Sequence, residues 1–357
     1  MTELKENLKM PEQEKLVASV SPHIHSGVSI RKVMLLVIIS LLPATFAGIL
    51  FFGLPALKVI VLSVLFCVFI EWAWCRIDGR TDDWKDFSAV LTGLLLALNL
   101  SANVPWWICP IGAFLAIGIG KQLYGGIGYN PFNPALVARV GLLIGFPKIM
   151  TTWMPSLNMR DSSHPLHKLI YDVDATTCAT PLGVVKTAVS KPDTVQNVFH
   201  SLCNFDAYLA YLKGDMPGCI GETSVIALLL GGVLLIALRL IKWQVPIAFI
   251  ATVAAISGLV NYFSPNTTPG PIFHILTGGL ILGAFFMATD MVTSPMTTKG
   301  AVIFGIGCGL ITSLIRIWGG YPEGVSFSIL IMNALTPLID KFTLRKPFGF
   351  RYNENKV

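Results

Sequence analysis

Long apolar runs separated by short polar links organise nearly the whole chain. A bilayer core of about 30 Å is crossed by about 20 apolar residues in a helix. Ten stretches come near that length, at about 33–53, 57–75, 88–103, 106–123, 134–152, 224–241, 244–263, 271–289, 300–318 and 325–341. The fifth is the weakest: Pro134 opens it, Arg139 interrupts it and Pro147 follows early, so a short or broken helix is expected there. One polar stretch, from about Lys148 to Glu222, breaks the series. Loops beyond roughly 15 residues are usually functional or disordered. This one carries Val184, Val185 and the run Tyr208 to Leu212, which implies that it folds back on the bundle.

Composition agrees with the pattern. Hydrophobic residues are 54% of the chain and charged residues 13%, about half the charged fraction of roughly a quarter found in soluble domains. The formal charge of +6 does not read as a nucleic-acid surface, because the basic residues gather at the ends of apolar runs. Arg31 and Lys32, then Arg76, Arg80 and Lys85, then Arg239 and Lys242, then Lys341, Arg345, Lys346 and Arg351 fall in alternate links. With an even number of spans these share one side, so both termini are expected in the cytoplasm. The N-terminal segment, mixed in charge, lacks the pattern of a cleavable signal. The seven cysteines show no C-x-x-C pair and no metal-ligand spacing, and His164 and His167 are separated by Pro165, so no metal site is expected.

The two halves echo each other. Val90 to Leu96 (VLTGLLL) resembles Ile275 to Ile281 (ILTGGLI), and Gly112-Ala113 then Gly125-Gly126 are matched by Gly300-Ala301 then Gly319-Gly320. Glycine-rich helices also resemble one another by chance. If the repeat is real, five spans per half makes the halves inverted, and function falls at interrupted helices near their interface. Two interruptions stand out: Gly125 to Pro134, containing Asn130 and Asn133, and Thr289 to Gly300, containing Asp290 and Thr293. Either could be a ligand or ion site, or a plain tight turn. Asp290 and Thr293 are the ion-pathway candidates, since Asp290 directly follows an apolar helix among hydroxyl neighbours. The other charges within spans (Glu71, Lys121, Arg139, Arg239 and Arg316) are expected mostly to snorkel to an interface. No chain of carboxylates crosses the bundle, so no complete active site or pump is expected in this chain alone.

Several motifs together carry a family resemblance. Ser21-Pro22-His23-Ile24, the run Gly125 to Leu136 (GGIGYNPFNPAL), Met287-Ala288-Thr289-Asp290 with Val292-Thr293-Ser294-Pro295, and Gly319 to Gly324 (GGYPEG) closely resemble the D subunits of Rnf ion-translocating electron-transport complexes. The B subunits of Na+-translocating NADH:quinone reductases share that family. The resemblance implies FMN joined by a phosphoester bond to the last threonine of a motif matched by Asp174-Ala175-Thr176-Thr177-Cys178-Ala179-Thr180. Thr180 is then the acceptor, with Asp174 and Thr177 in the sequence that a flavin transferase recognises. Alone, this threonine-rich segment would read as a cap or turn. The resemblance also implies a noncovalent riboflavin, placed here near Asn130 and Asn133, and five further subunits in a six-subunit complex. Such a complex passes electrons between ferredoxin and NAD and moves Na+ or H+.

The expectation is therefore an all-α integral membrane protein of the bacterial or archaeal cytoplasmic (inner) membrane. About ten transmembrane helices form two inverted five-helix repeats, resembling a urea- or ammonium-channel-like fold. The divisions are a cytoplasmic segment 1–32, a first membrane repeat 33–152, an extracytoplasmic FMN-bearing loop 153–223, a second repeat 224–341 and a cytoplasmic tail 342–357. A quinone-reductase B subunit and a flavin-free channel or transporter are the alternatives. The short N-terminal segment disfavours the first, and a fluorescent flavin would exclude the second.

Overall fold

The computed structural model describes residues 29–79, 83–158, 178–189 and 195–344. Among them the regular structure is helical, without a strand; one isolated antiparallel bridge joins Trp153 to Cys178. Helix α1 (Ile30–Phe52) begins where the Ser29 hydroxyl accepts the Lys32 N–H at 3.3 Å. Gly53 ends it with φ 71°, and Pro55 sits in the first turn of α2 (Leu54–Ile77), where its missing N–H costs nothing. Both helices are apolar all round and turn Leu35, Phe46, Leu50, Leu65 and Phe69 outward, while Ser40, Ser63 and Glu71 are buried. That is the inverse of a soluble helix and suits lipid as the outer solvent.

The first half continues with α3 (Ser88–Leu98), α4 (Ile108–Ala113, running on into a π turn, Phe114–Ile119) and α5 (Pro134–Gly145). Phe146 separates α5 from the single turn α6 (Pro147–Met150), so the weak fifth stretch is indeed broken. Three short helices follow: α7 (Pro181–Val189), α8 (Val195–Leu202) and α9 (Phe205–Lys213). The second half comprises α10 (Val225–Ala237), α11 (Gln244–Phe263), α12 (Pro271–Leu276), α13 (Leu280–Leu282, leading into a π turn, Gly283–Met287), α14 (Thr298–Ile317) and α15 (Val325–Thr343). Five of these, α1, α2, α11, α14 and α15, are long and apolar enough to cross a membrane.

The two halves meet where α1 packs on α10. A Cβ on Gly231 would lie 2.0 Å from the Ser40 carbonyl oxygen and 3.0 Å from the Phe286 ring, so this crossing needs glycine. Gly231→Ala is expected to cost about 1–3 kcal/mol through overpacking. A thermal melt of the purified protein in detergent should show a fall of several degrees.

Two helices stop inside the bundle. At 11 residues, α3 spans only about 16 Å at 1.5 Å per residue, and Asn99, Leu100 and Ser101 after it are buried. The stretch read as one span at 271–289 is broken at Thr277-Gly278-Gly279, with φ 71° and 65° at the two glycines. Backbone freed at such a break must find partners within the protein. Arg316 supplies them: its guanidinium donates to the carbonyls of His274 (2.6 Å), Thr277 (3.0 Å) and Gly278 (2.8 Å). At the end of α3, the Ile220 N–H donates to Leu100 O at 3.0 Å and the Cys219 thiol to Asn99 O at 3.1 Å. The segment Cys219 to Glu222 is thus wedged between both breaks.

The interior charges correct one expectation. Glu71, Lys121, Arg139 and Arg316 do not snorkel; they are 0–4% exposed and face the bundle, where partners within the protein replace water. Arg239 alone of that set is exposed.

The polar stretch does fold back. Leu182, Val185, Leu202 and Tyr211 from α7–α9 form a small core that includes Phe273 of α12. Lys186 ties α7 to the end of α14, donating to the carbonyls of Ile315 (3.2 Å) and Gly319.

Candidate functional site

Two cavities, at opposite ends of α1, gather the residues that carry chemistry. The first includes Val33 and Met34 near the start of α1, whereas Leu157, close in sequence to residues of the second, donates its N–H to Phe51 O at 2.9 Å near the end. Between Met34 and Phe51 the helix rises about 26 Å.

The second cavity, about 280 Å³, is walled by Arg139, Trp153, Thr180, Tyr321 and Glu323. Thr180 sits at its rim, at the N-terminus of α7. Its hydroxyl accepts the Gly183 N–H at 3.2 Å, its carbonyl accepts Val184 N–H at 2.9 Å, and Pro181 occupies the first helical position. Threonine followed by proline is a strong local signal for such a start. The Thr180 hydroxyl therefore lies at the positive end of a helix, where an anionic group is stabilised. Arg139 crosses from α5 to the loop before α15: its Nη2 donates to Glu323 Oε2 at 2.9 Å and to Cys219 Sγ at 3.5 Å. Its guanidinium also lies over Trp153, 5.6 Å from the ring centroid. Among the described residues, Nη1 of Arg139 and Oε1 of Glu323 are buried without a hydrogen-bond partner.

Ligand atoms of Cys219, Glu222 and Glu323 lie within 4.8 Å of one another. The guanidinium bonded to two of them opposes a cation at their centre.

The first cavity, about 110 Å³, brings together both interruptions noted in the sequence: Asn130 and Asn133 from one, Thr289 and Asp290 from the other, with Lys121 and Phe285 beside them. The Asn133 side-chain carbonyl caps α5 by accepting Ala135 N–H at 3.1 Å, and its amide donates to Met287 O at 3.2 Å across the two halves. Asn130 donates to Phe132 O at 3.0 Å. Thr293 is buried behind the cavity, its hydroxyl 3.3 Å from Asp290 Oδ2, and Thr336 donates to the Thr293 carbonyl at 3.0 Å. The Lys121 ammonium bonds to Glu71 Oε1 and to the Ser88 hydroxyl, and Gln122 donates to the same Glu71 oxygen at 3.0 Å. This set fixes a buried ion pair beside the cavity.

Of the residues singled out in the sequence, Asn130, Asn133, Asp290 and Thr293 come together, and Thr180 stands apart at the other cavity. Asp174 and Thr177 lie outside the described residues. Sequence reasoning missed Arg139, Trp153, Tyr321 and Glu323 as walls of the Thr180 cavity. The one available signal was a charge inside an apolar run together with the Gly319 to Gly324 motif.

Comparison with known proteins gives the same answer as the motifs. The family model described as the NQR2, RnfD, RnfE family matches residues 17–349. A relative from Clostridium ljungdahlii, the D subunit of a proton-translocating ferredoxin:NAD(+) oxidoreductase complex by name, is 43% identical over 93% of this chain and 96% of its own length. One from Acetobacterium woodii, named as the D subunit of a Na(+)-translocating ferredoxin:NAD(+) oxidoreductase complex, is 42% identical over 94% and 95%. One from Stutzerimonas stutzeri, named as the D subunit of an ion-translocating oxidoreductase complex, is 43% identical over 90% and 92%. With the family match spanning nearly the whole chain, this membrane protein belongs to the NQR2, RnfD, RnfE family.

Proposed function

We propose that the chain is the flavin-carrying membrane subunit of an ion-translocating ferredoxin:NAD+ oxidoreductase complex, active only with its partner subunits. The placement of Thr180 carries the flavin reading. A capping hydroxyl at a helix N-terminus opens on a cavity with aromatic walls and a buried guanidinium that has an uncommitted donor. These residues fit an FMN phosphoester. The helix end suits the phosphate, the volume of about 280 Å³ lies near the lower bound of roughly 300 Å³ for ligand pockets, and Trp153 and Tyr321 offer apolar faces. When bound, the flavin supplies one- and two-electron transfer; the protein supplies the anchor, the fixed charge and the shielding from water. Maturation requires a flavin transferase acting on the segment Asp174 to Thr180.

The Asn130 and Asn133 cavity is tight for the riboflavin that the family resemblance implies. It holds about 110 Å³, and each amide gives one N–H to a backbone carbonyl. Its size and its carboxylate suit water or a small cation, so Asp290, with Thr293 hydrogen-bonded to it, is this subunit's contribution to the ion route. The relatives' names divide between protons and Na+ at nearly equal identity, so the ion is read as Na+ or H+. In the reconstituted complex, Asp290→Asn is expected to lower ion uptake at least tenfold while ferredoxin oxidation uncoupled by an ionophore stays within about twofold of wild type. Equal loss of both would remove Asp290 from the ion route.

The architecture proposed with this function has ten crossings in two inverted halves, α1–α5 and α10–α15, with the broken α12–α13 counted as one. Both termini are cytoplasmic, and the Thr180 cavity faces away from the cytoplasm at a bacterial or archaeal inner membrane. The divisions run 1–32, 33–152, 153–223, 224–341 and 342–357, and five other subunits complete the complex. The denatured wild-type protein, expressed with its transferase, should show a flavin band under ultraviolet light on a gel. A dark band would overturn the flavin reading and leave a flavin-free channel of related fold as the better one.

A further inference from the structure

Arg139 is only 3% exposed, and its surroundings leave part of it unused. Glu323 and Cys219 both bond Nη2, at 2.9 Å and 3.5 Å, while the buried Nη1 has no partner among the described residues. Leaving a buried charged donor unpaired is costly, and the residue that carries it lines the cavity that Thr180 rims. The chain thus holds a guanidinium at the cavity wall, fixed through one fork nitrogen by Glu323, while the other nitrogen is buried without a partner among the described residues. The guanidinium cannot rotate away without breaking its bond to Glu323 and its stacking over Trp153. In the sequence alone, Arg139 reads only as an interruption of an apolar run.

We propose that Arg139 is the charge-setting residue for the flavin attached at Thr180: its guanidinium at the cavity wall offsets the negative charge that the ring carries when reduced, and Glu323 positions it. This rests on the reading of Thr180 as the anchor. Two electrons and one proton added to the neutral oxidised ring leave one negative charge on its pyrimidine edge. In the complex the electrons come from reduced ferredoxin through the other carriers, and the proton comes from water. A preoriented cation in a site with little water stabilises that charge without reorganising and so makes the ring easier to reduce. Glu323 acts in the opposite sense, since its carboxylate offsets part of the guanidinium charge while holding Nη2.

The test is a redox titration of the purified complex with dithionite and a reference dye. Subtracting the titration of a Thr180→Ala complex isolates this flavin, and the fluorescent gel band measures loading. Arg139→Gln is expected to keep the band and to shift the two-electron equilibrium at least tenfold toward the oxidised form, about 30 mV lower. Arg139→Lys should shift it less, and Glu323→Gln should shift it the other way. Opposite shifts separate a charge-setting role from general loosening of the site, which would move both variants alike. A loaded Arg139→Gln complex with an equilibrium within threefold of wild type would overturn the proposal, as would shifts of the same sign in both variants. If Arg139→Gln fails to accumulate, Glu323→Gln decides: a shift toward the reduced form supports the proposal and no shift overturns it. A wild-type protein without a flavin band would instead remove the anchor at Thr180.

Discussion

Replacing Thr180 by alanine is expected to abolish the fluorescent flavin band completely while the protein still accumulates in the membrane. The effect is all-or-none because an ester needs an oxygen to join, and the preceding Ala179 has none to offer. Alanine also removes a helix cap, since the Thr180 hydroxyl accepts the Gly183 N–H at 3.2 Å; such a loss costs about 1 kcal/mol. Two companion variants separate the roles. Thr180→Ser keeps both the cap and the ester oxygen and should retain the band. Thr180→Asn keeps a capping oxygen but offers no hydroxyl, so it should accumulate normally and stay dark. A bright Thr180→Asn protein would place the attachment elsewhere in the segment.

The second large effect is expected at Arg316. It is 4% exposed and donates to three carbonyls at the break between α12 and α13. Arg316→Met fills much of the same volume but leaves those acceptors without partners, at about 1–3 kcal/mol each. Against a total stability of about 5–15 kcal/mol, the sum removes much of the folded protein. Fluorescence-detected size exclusion of detergent extracts should show the monodisperse peak of Arg316→Met reduced several-fold. Arg316→Lys, with one ammonium for the three carbonyls, should fall between that variant and wild type. The break tolerates no added bulk either. A Cβ on Gly278 would meet Leu182 Cδ1 at 2.2 Å and Arg316 Nη2 at 2.7 Å, in a backbone with φ 71°.

Much of this was legible in the residues because lipid imposes a simple rule. Runs of apolar residues located α1, α2, α11, α14 and α15 to within a few positions, and Pro134 with Pro147 announced the short, interrupted fifth helix. The caps were local too: Ser29, Asn133, Ser224 and Thr297 each accept an N–H two or three residues ahead. The breaks were not legible. The run at 88–103 stays apolar through Leu100 although the helix ends at Leu98, because the donors that satisfy its freed carbonyls come from Cys219 and Ile220, 120 residues on. For the same reason Arg139 reads as a charge seeking the interface. Its partner Glu323 is 184 residues away, and nothing local distinguishes a pairing of that span from a snorkelling side chain. Thr180 is singled out by its motif, whereas the cavity it opens on is built by α5 and the loop before α15.

Lys186 and Arg316 share a neighbour. Lys186 grips the carbonyls of Ile315 and Gly319 at the end of α14, and Arg316, one residue along the same helix, holds the break that leads into α13. From there the π turn ends at Met287, three residues before Asp290. One helix end is thus a common mount for the arm that carries Thr180 and for the strut that reaches Asp290 at the opposite cavity. A tilt of α14 would carry both at once, so Thr180 and Asp290 share a single mechanical reference frame.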